Sequence, residues 1–305
     1  MICSIIIPTK DRPKSLLAAV KSALNALPDG GEIVVVDDAG SIPAVEALSG
    51  FMSEKIKVLN NPGPHGPSQA RNFGISQSGG EVLFFLDDDD ELMPDYCKRV
   101  LNSARPAQCA YGHCAPLHME LDGQPTYHGR KQATGIYGDG SELHLRLAGM
   151  GMGFWIRRDA FIQSGGIDAR IRVNEDTEFC IRLASMGLES YYDREPGVLL
   201  RHDPTRAEGD KASITKSANA LERARGFEYI LSKHSEFLIA HPKFRRLFLS
   251  RVVKYRSRAM AMDGFDEFSR TVRPVSDRLL MSSLGRAFIA CSISVRSRRQ
   301  IAIQE

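Results

Sequence analysis

Val82-Leu83-Phe84-Phe85-Leu86-Asp87-Asp88-Asp89-Asp90-Glu91 is an apolar run that stops abruptly at five carboxylates. Its first half has no polar alternation, which is how a strand of a parallel sheet covered on both faces reads. Three earlier segments have the same form: Ser4 to Ile7, Ile33 to Val36 and Ile56 to Leu59. Helical patterns lie between them, clearest in Leu16, Leu17, Val20, Ala23, Leu24 and Leu27, with Pro13 near the helix start. Strand alternating with helix predicts an α/β fold with an open, mostly parallel sheet. In such sheets ligands bind beyond the carboxyl ends of the strands. Those ends are polar here: Pro8-Thr9-Lys10-Asp11-Arg12 after strand one, Asp37-Asp38-Ala39-Gly40 after strand two, and the acidic run after strand four. Carboxylates therefore converge on one edge of the sheet.

Adjacent aspartates repel one another and are hard to keep ionised without a counter-ion. A divalent cation is the natural partner, and all-oxygen ligation favours Mg²⁺ or Mn²⁺. The alternative is that the run caps and charges a helix beginning near Leu92, with Pro94 in its first turn. Beyond residue 105 the regularity falls. Tyr111 to Tyr127, with Asp122-Gly123 as its turn, reads as a hairpin, and the Gly-rich stretch Lys131 to Gly153 as a mobile loop. A helix is expected from Glu175 to Met186 and a strand from Val198 to Leu200, after which helices dominate from about Ser213. The compositional change near 210 divides the chain into a catalytic domain, 1–210, and a basic helical region, 211–305.

The ordered series Ser4 to Arg12, Val34 to Asp38, Gly66-Pro67-Ser68-Gln69-Ala70-Arg71-Asn72-Phe73-Gly74, Phe85 to Asp90 and Asn174-Glu175-Asp176 to Arg182 resembles the signature of family 2 glycosyltransferases with the GT-A fold. The resemblance covers roughly residues 1 to 205. It implies an inverting transferase that uses a nucleotide-sugar donor. By this resemblance Pro8, Thr9, Asp11, Arg12, Asp38, Arg71, Asp87 and Asp88 belong to the nucleotide-sugar site, with Thr9 and Asp38 lining a uridine pocket. Asp87 and Asp89 match the family's Asp-x-Asp, the second on the metal, and Asp90 can replace or assist it. Asp176 takes the position of the catalytic base, and the upstream Gly165-Gly166-Ile167-Asp168 fits the same pattern; helix capping is the other use for Glu175-Asp176. His202 stands where some relatives supply a histidine to the metal. Gly153, Trp155 and Glu175 fall in the acceptor and donor-sugar region, where Trp155 either stacks on a sugar or fills the core. The Gln-x-x-Arg-Trp motif of processive relatives is missing, which argues for transfer of a single sugar.

Cys109, His113, Cys114 and His118 match no common zinc spacing, and on an alternating strand they point to both faces. A dinucleotide dehydrogenase and a sugar-phosphate nucleotidyltransferase would both want a Gly-rich loop after strand one, which Pro8 to Arg12 is not. A non-catalytic, receiver-like module with an acidic metal site stays open as the alternative function.

The 305 residues, 43% hydrophobic and 25% charged, have ordinary globular composition, which excludes disorder and low complexity. Lys243 to Glu305 holds 14 basic and 5 acidic residues, against 26 and 32 in the rest, so an acidic body carries a basic tail. The tail interleaves Arg and Lys with Phe, Leu and Val, as in Phe244 to Tyr255. Such a helix either lies on an anionic membrane or packs its apolar stripe on the body or a second copy. No recognition motif accompanies the charge, so nucleic acid is not expected. Six scattered cysteines and no apolar run of membrane-spanning length predict a cytoplasmic protein, peripheral on the inner face of the membrane. A carbohydrate or glycolipid acceptor of the cell envelope fits that placement.

Overall fold

A computed structural model of the chain describes residues 1–103, 105–120, 123–127, 131–201 and 218–291. These residues form two compact units. The first runs over Met1–Ala169 and resumes at Phe179; the second contains Arg170–Glu178 and the C-terminal helices.

The first unit is built on one sheet. Its strands are β1 (Cys3–Thr9), β2 (Glu32–Asp37), β3 (Ile56–Asn60), β4 (Val82–Phe85), β5 (Asp90–Leu92), β6 (Tyr111–Met119), β7 (Pro125–Tyr127), β8 (Gly135–Tyr137), β9 (Trp155–Arg157) and β10 (Ser190–Arg201). The order is β3-β2-β1-β4-β9-β6-β10-β5, with β7 on β6 and β8 on β10. β1 to β4 are parallel, as the unbroken apolar runs predict, and β9 is antiparallel to both β4 and β6. Its helices are α1 (Pro13–Ala26), α2 (Ala44–Ala47), α3 (Pro67–Ser76), α4 (Tyr96–Asn102), α5 (Arg105–Gln108), α6 (Arg158–Ser164) and the body of α7 (Glu175–Ser185).

Alternate side chains along each strand face opposite sides, so one sheet makes two cores. Ile5, Ile7, Ile33, Val35 and Phe84 pack with Leu16, Val20 and Ala23 of α1. Ile6, Val34, Val36, Leu83 and Phe85 pack with Ala70 and Ile75 of α3, Phe161 of α6 and Phe179 of α7. Gly74 permits the closest of these contacts, because a Cβ there would lie 2.8 Å from Val36 Cγ2. That approach brings Arg71, one turn earlier, to the end of the sheet.

Two expectations need correction. The residues after Asp89 do not open a helix near Leu92; Asp90–Leu92 is a strand antiparallel to β10, and the next helix starts at Tyr96. Pairing with a partner more than 100 residues away outweighs the local capping signal there. The stretch from Lys131 to Gly153 contains an edge strand, β8, on Ser190 to Tyr192, and buries Leu143, Ala148 and Met150, so much of it is held in place. The hairpin is present as β6 with β7; Asp122 lies outside the described residues.

The second unit comprises the start of α7, then α8 (Ala220–Lys233), α9 (Ser235–Ile239), α10 (Pro242–Ala259), α11 (Phe265–Thr271) and α12 (Val275–Leu280), followed by a π-helical turn, Met281–Gly285. Asn219 and Glu222 close a capping box that starts α8. Phe227 of α8 packs against Phe248 and stacks at 6.1 Å on Tyr255, both of α10. Two tail arginines turn inward to buried carboxylates and away from water: Arg256 donates to both oxygens of Glu228 at 2.6 and 2.8 Å, and Arg245 to Asp277 at 2.6 Å.

Candidate active site

The carboxyl ends of β1, β2 and β4 meet in a network of carboxylates and backbone amides. Thr9, the last residue of β1 and in register with Asp37, donates its hydroxyl to Asp88 Oδ2 at 2.8 Å. Arg12 donates to Asp88 Oδ1 at 2.6 Å and reaches Asp89 Oδ2 at 3.2 Å. Asp11 has a left-handed backbone, φ 56°, and its Oδ1 accepts the amides of Ser41 and Ile42. Asp37 accepts from the amides of Gly40 and Ala44, both at 2.8 Å. Asp38 accepts the Gly66 amide at 2.8 Å and Asn61 Nδ2 at 2.7 Å, with His65 Nδ1 at 3.4 Å. The loops after three strands are thereby tied to one another, and Pro8 sits buried beside Val36 at their base.

The acidic run folds as a tight turn, the Asp90 amide donating to the Asp87 carbonyl at 3.1 Å. Arg71 of α3 donates to Asp87 Oδ1 at 2.5 Å. Carboxylate oxygens of Asp87, Asp89 and Asp90 lie within 4.8 Å of one another. Gly151 walls this cluster: a Cβ there would stand 3.0 Å from Asp87 Oδ2 and 3.3 Å from Asp90 Oδ2. Burial pushes the Asp88 carboxyl up to about 6, against the downward pull of Arg12. Burial, then the charges of Asp87 and Asp89, hold the Asp90 carboxyl well above the usual carboxylate range. A hard cation relieves that repulsion. Three oxygen donors in mutual reach and a bare glycine beside them fit such an ion, and Asp87, Asp89 and Asp90 are the residues that would hold it.

The residues expected on the acceptor side divide. Gly153 has φ 59°, and its carbonyl accepts from the Tyr96 hydroxyl; a Cβ at Gly153 would meet Cys114 Sγ at 2.5 Å. Trp155 is fully buried in the core, its indole 2.6 Å from where a Cβ at Gly112 would lie. Stacking of Trp155 on a sugar is thereby corrected: no face of the ring reaches solvent. Glu175 and Asp176 open α7 in the second unit, where Asp176 Oδ1 accepts the Thr177 amide at 2.6 Å and lies 3.3 Å from the Thr177 hydroxyl. His202 lies outside the described residues. Asn61, which orients Asp38, and Gly151 carry no signal in the sequence beyond an Asn after a strand and a Gly in a Gly-rich stretch.

The α/β fold, with its mixed sheet and flanking helices, matches that of GT-A glycosyltransferases. The model of glycosyl transferase family 2 matches residues 4–164, more than half of the chain, and the chain belongs to that family. It is a glycosyltransferase and draws its sugar from a nucleotide-sugar donor. An uncharacterized glycosyltransferase of Haemophilus influenzae is 26% identical over 281 residues, covering 88% of this chain and 90% of its own. The GalNAc(5)-diNAcBac-PP-undecaprenol beta-1,3-glucosyltransferase of Campylobacter jejuni is 31% identical over 115 residues, 36% of this chain and 37% of its own. Among solved structures, S. aureus TarS 1–349 in complex with UDP-GlcNAc aligns with a TM-score of 0.69 at 17% identity, over 98% of this chain and 92% of its own.

Proposed function

We propose that the chain transfers a single sugar from a UDP-sugar to an acceptor hydroxyl of a cell-envelope glycan or glycolipid, with inversion and with Mn²⁺ or Mg²⁺ at the acidic edge. The observation that carries this reading is the turn Asp87 to Asp90 between Arg71 and Arg12 at the carboxyl ends of β1 and β4. Solved TarS complexes hold UDP-GlcNAc and UDP, which supports the nucleotide. The Campylobacter relative's polyprenyl-linked acceptor supports a glycolipid.

In this reading Thr9 and Asp38 line the base pocket. Each Asp38 oxygen already accepts one protein N–H, which leaves lone pairs for a ring N–H of uracil. Pro8, Asp11 and Arg12 shape the pocket's floor, and Asp88 fixes Thr9 and Arg12 within it. Arg71 faces the nucleotide's charged end. Asp87, Asp89 and Asp90 would hold a divalent cation, which would supply Lewis-acid charge for the diphosphate leaving group. Asp176 takes the proton of the acceptor hydroxyl as that oxygen bonds to the anomeric carbon. The bond from that carbon to the diphosphate breaks, and UDP leaves with the electron pair. Gly153 and Glu175 border the acceptor side.

Removing the base should cost about 10²–10⁴ in rate. Asp176→Asn is therefore expected to bind UDP normally and to release it from UDP-glucose, UDP-GlcNAc or their galacto epimers far more slowly. Wild-type turnover in that variant would remove Asp176 from the mechanism.

No helix among the described residues is long and apolar enough to cross a membrane. Contact with an anionic membrane is supported by Leu280, Leu284 and Phe288, exposed at 52, 64 and 59%. They recur every four residues beside the buried stripe Met281, Gly285 and Ile289, with Arg273 and Arg286 exposed nearby. Vesicles containing phosphatidylglycerol should sediment the protein, vesicles of phosphatidylcholine alone should not, and Leu284→Ser with Phe288→Ser should abolish the difference. A self-associating stripe would instead give a dimer by light scattering that the same variant dissolves.

A further inference from the structure

Four contacts inside the second unit converge on residues 170–178, the stretch that leads into and opens α7. Glu178 is fully buried, and its Oε1 lies 2.8 Å from Lys233 Nζ and 2.8 Å from His234 Nε2, at the C-terminal end of α8. Arg172 pairs with Glu222 at 3.1 Å, and Arg170 stands 5.3 Å over the ring of Tyr229. Gly226, in the middle of α8, has no room for a side chain: a Cβ would lie 2.7 Å from the Val173 carbonyl and 3.0 Å from Asn174 Nδ2. Asn174 is left-handed, φ 65°, and its carbonyl accepts the Glu178 amide at 2.9 Å, so this residue sets where the helix begins.

A carboxylate taken wholly out of water is kept only with good partners, and a glycine in a helix interior costs stability relative to alanine. Both costs are accepted where α8 packs on the stretch that carries Asp176. Residues two apart point to nearly opposite sides of a helix. Glu178 is therefore the anchored side of the first turn of α7, and Asp176 lies on its opposite side.

We propose that Glu178, held by Lys233 and His234, together with the close seat of Val173-Asn174 on Gly226, is a positioning device for the base: the C-terminal helices set the place and rotation of Asp176 and belong to the catalytic apparatus. The proposal rests on Asp176 being the base. Lys233, His234 and Gly226 are positioning residues, as is Glu178; none is asked to touch substrate.

Full-length Glu178→Gln and Gly226→Ala test it, with UDP release from the best of the four UDP-sugars above as the activity. A base displaced by about 1 Å loses about 10²-fold in rate. Both variants should lose kcat by about that order, while donor KM and UDP binding by calorimetry stay near wild type; Tm falls in both, because each disturbs a buried contact. Gly226→Ala removes the alternative of a weakened α8, because alanine favours the helix. If Glu178→Gln fails to fold, Gly226→Ala and His234→Gln decide. Wild-type kcat in a folded variant overturns the proposal, as does a parallel loss of kcat and UDP binding. Asp176→Asn separates the two claims: if it keeps turnover, the base assignment fails; if it is inactive while the anchor variants are wild type, only the positioning fails.

Discussion

Both units bury carboxylates, and they treat them differently. At the sheet edge four consecutive aspartates share Arg12 and Arg71, and two of those carboxyls are pushed above their ordinary range by burial and by one another. Among the described residues of the second unit each buried carboxylate has its own cation: Glu228 with Arg256, Asp277 with Arg245, and Glu178 with Lys233, with His234 beside it. Matched charge closes a structure. Charge left in excess at the end of a sheet is stored repulsion, which a bound cation can relieve.

Breaking a matched pair tests the contrast most severely. Arg256→Met leaves Glu228 buried without its bidentate partner, and should cost about 3–5 kcal/mol in chemical denaturation. Adding Glu228→Leu should recover most of that loss, because well-packed apolar replacements of buried pairs are often neutral. A near-zero effect of Arg256→Met would mean that the pair is not structural.

The acidic edge should show the opposite behaviour. In the folded chain Asp88 keeps its proton up to about 6, whereas the unfolded chain releases it near the ordinary 3.8. The native state therefore binds more protons in that window, and stability falls as pH rises through it. Measured without divalent ions, wild type should lose stability relative to Asp88→Asn between about pH 4 and pH 6. A difference that is flat or rises with pH would show that Asp88 is not under strain. The effect is smaller than that of Arg256→Met because Arg12 and Thr9 already offset part of it.

Much of this layout was legible in the sequence. Parallel strands buried on both faces leave unbroken apolar runs, so β1 to β4 and the polar loops after them could be read directly. What depends on distant pairing could not. Asp90–Leu92 has no strand character of its own and becomes β5 by pairing with β10; β8 is a short edge strand inside a Gly-rich stretch. The assignment of Arg170–Glu178 to the C-terminal unit comes from Arg172 with Glu222 and Glu178 with Lys233, contacts across 50 residues or more. Trp155 was ambiguous because an aromatic side chain serves a core and a sugar equally well, and only Gly112 beneath its ring decides. The inward turn of Arg245 and Arg256 was hidden for a similar reason, since a basic helix looks the same in sequence whether its arginines face water or carboxylates.

The most direct test of the central claim is calorimetric titration of UDP, with GDP and dTDP as controls, into wild type and Asp89→Ala, with Mn²⁺ and with chelator. The account predicts UDP binding by wild type in Mn²⁺, and its loss on chelation or in Asp89→Ala. UDP binding unaffected by either, or no binding of any of the three nucleotides, would contradict a metal-assisted UDP-sugar site at the acidic edge.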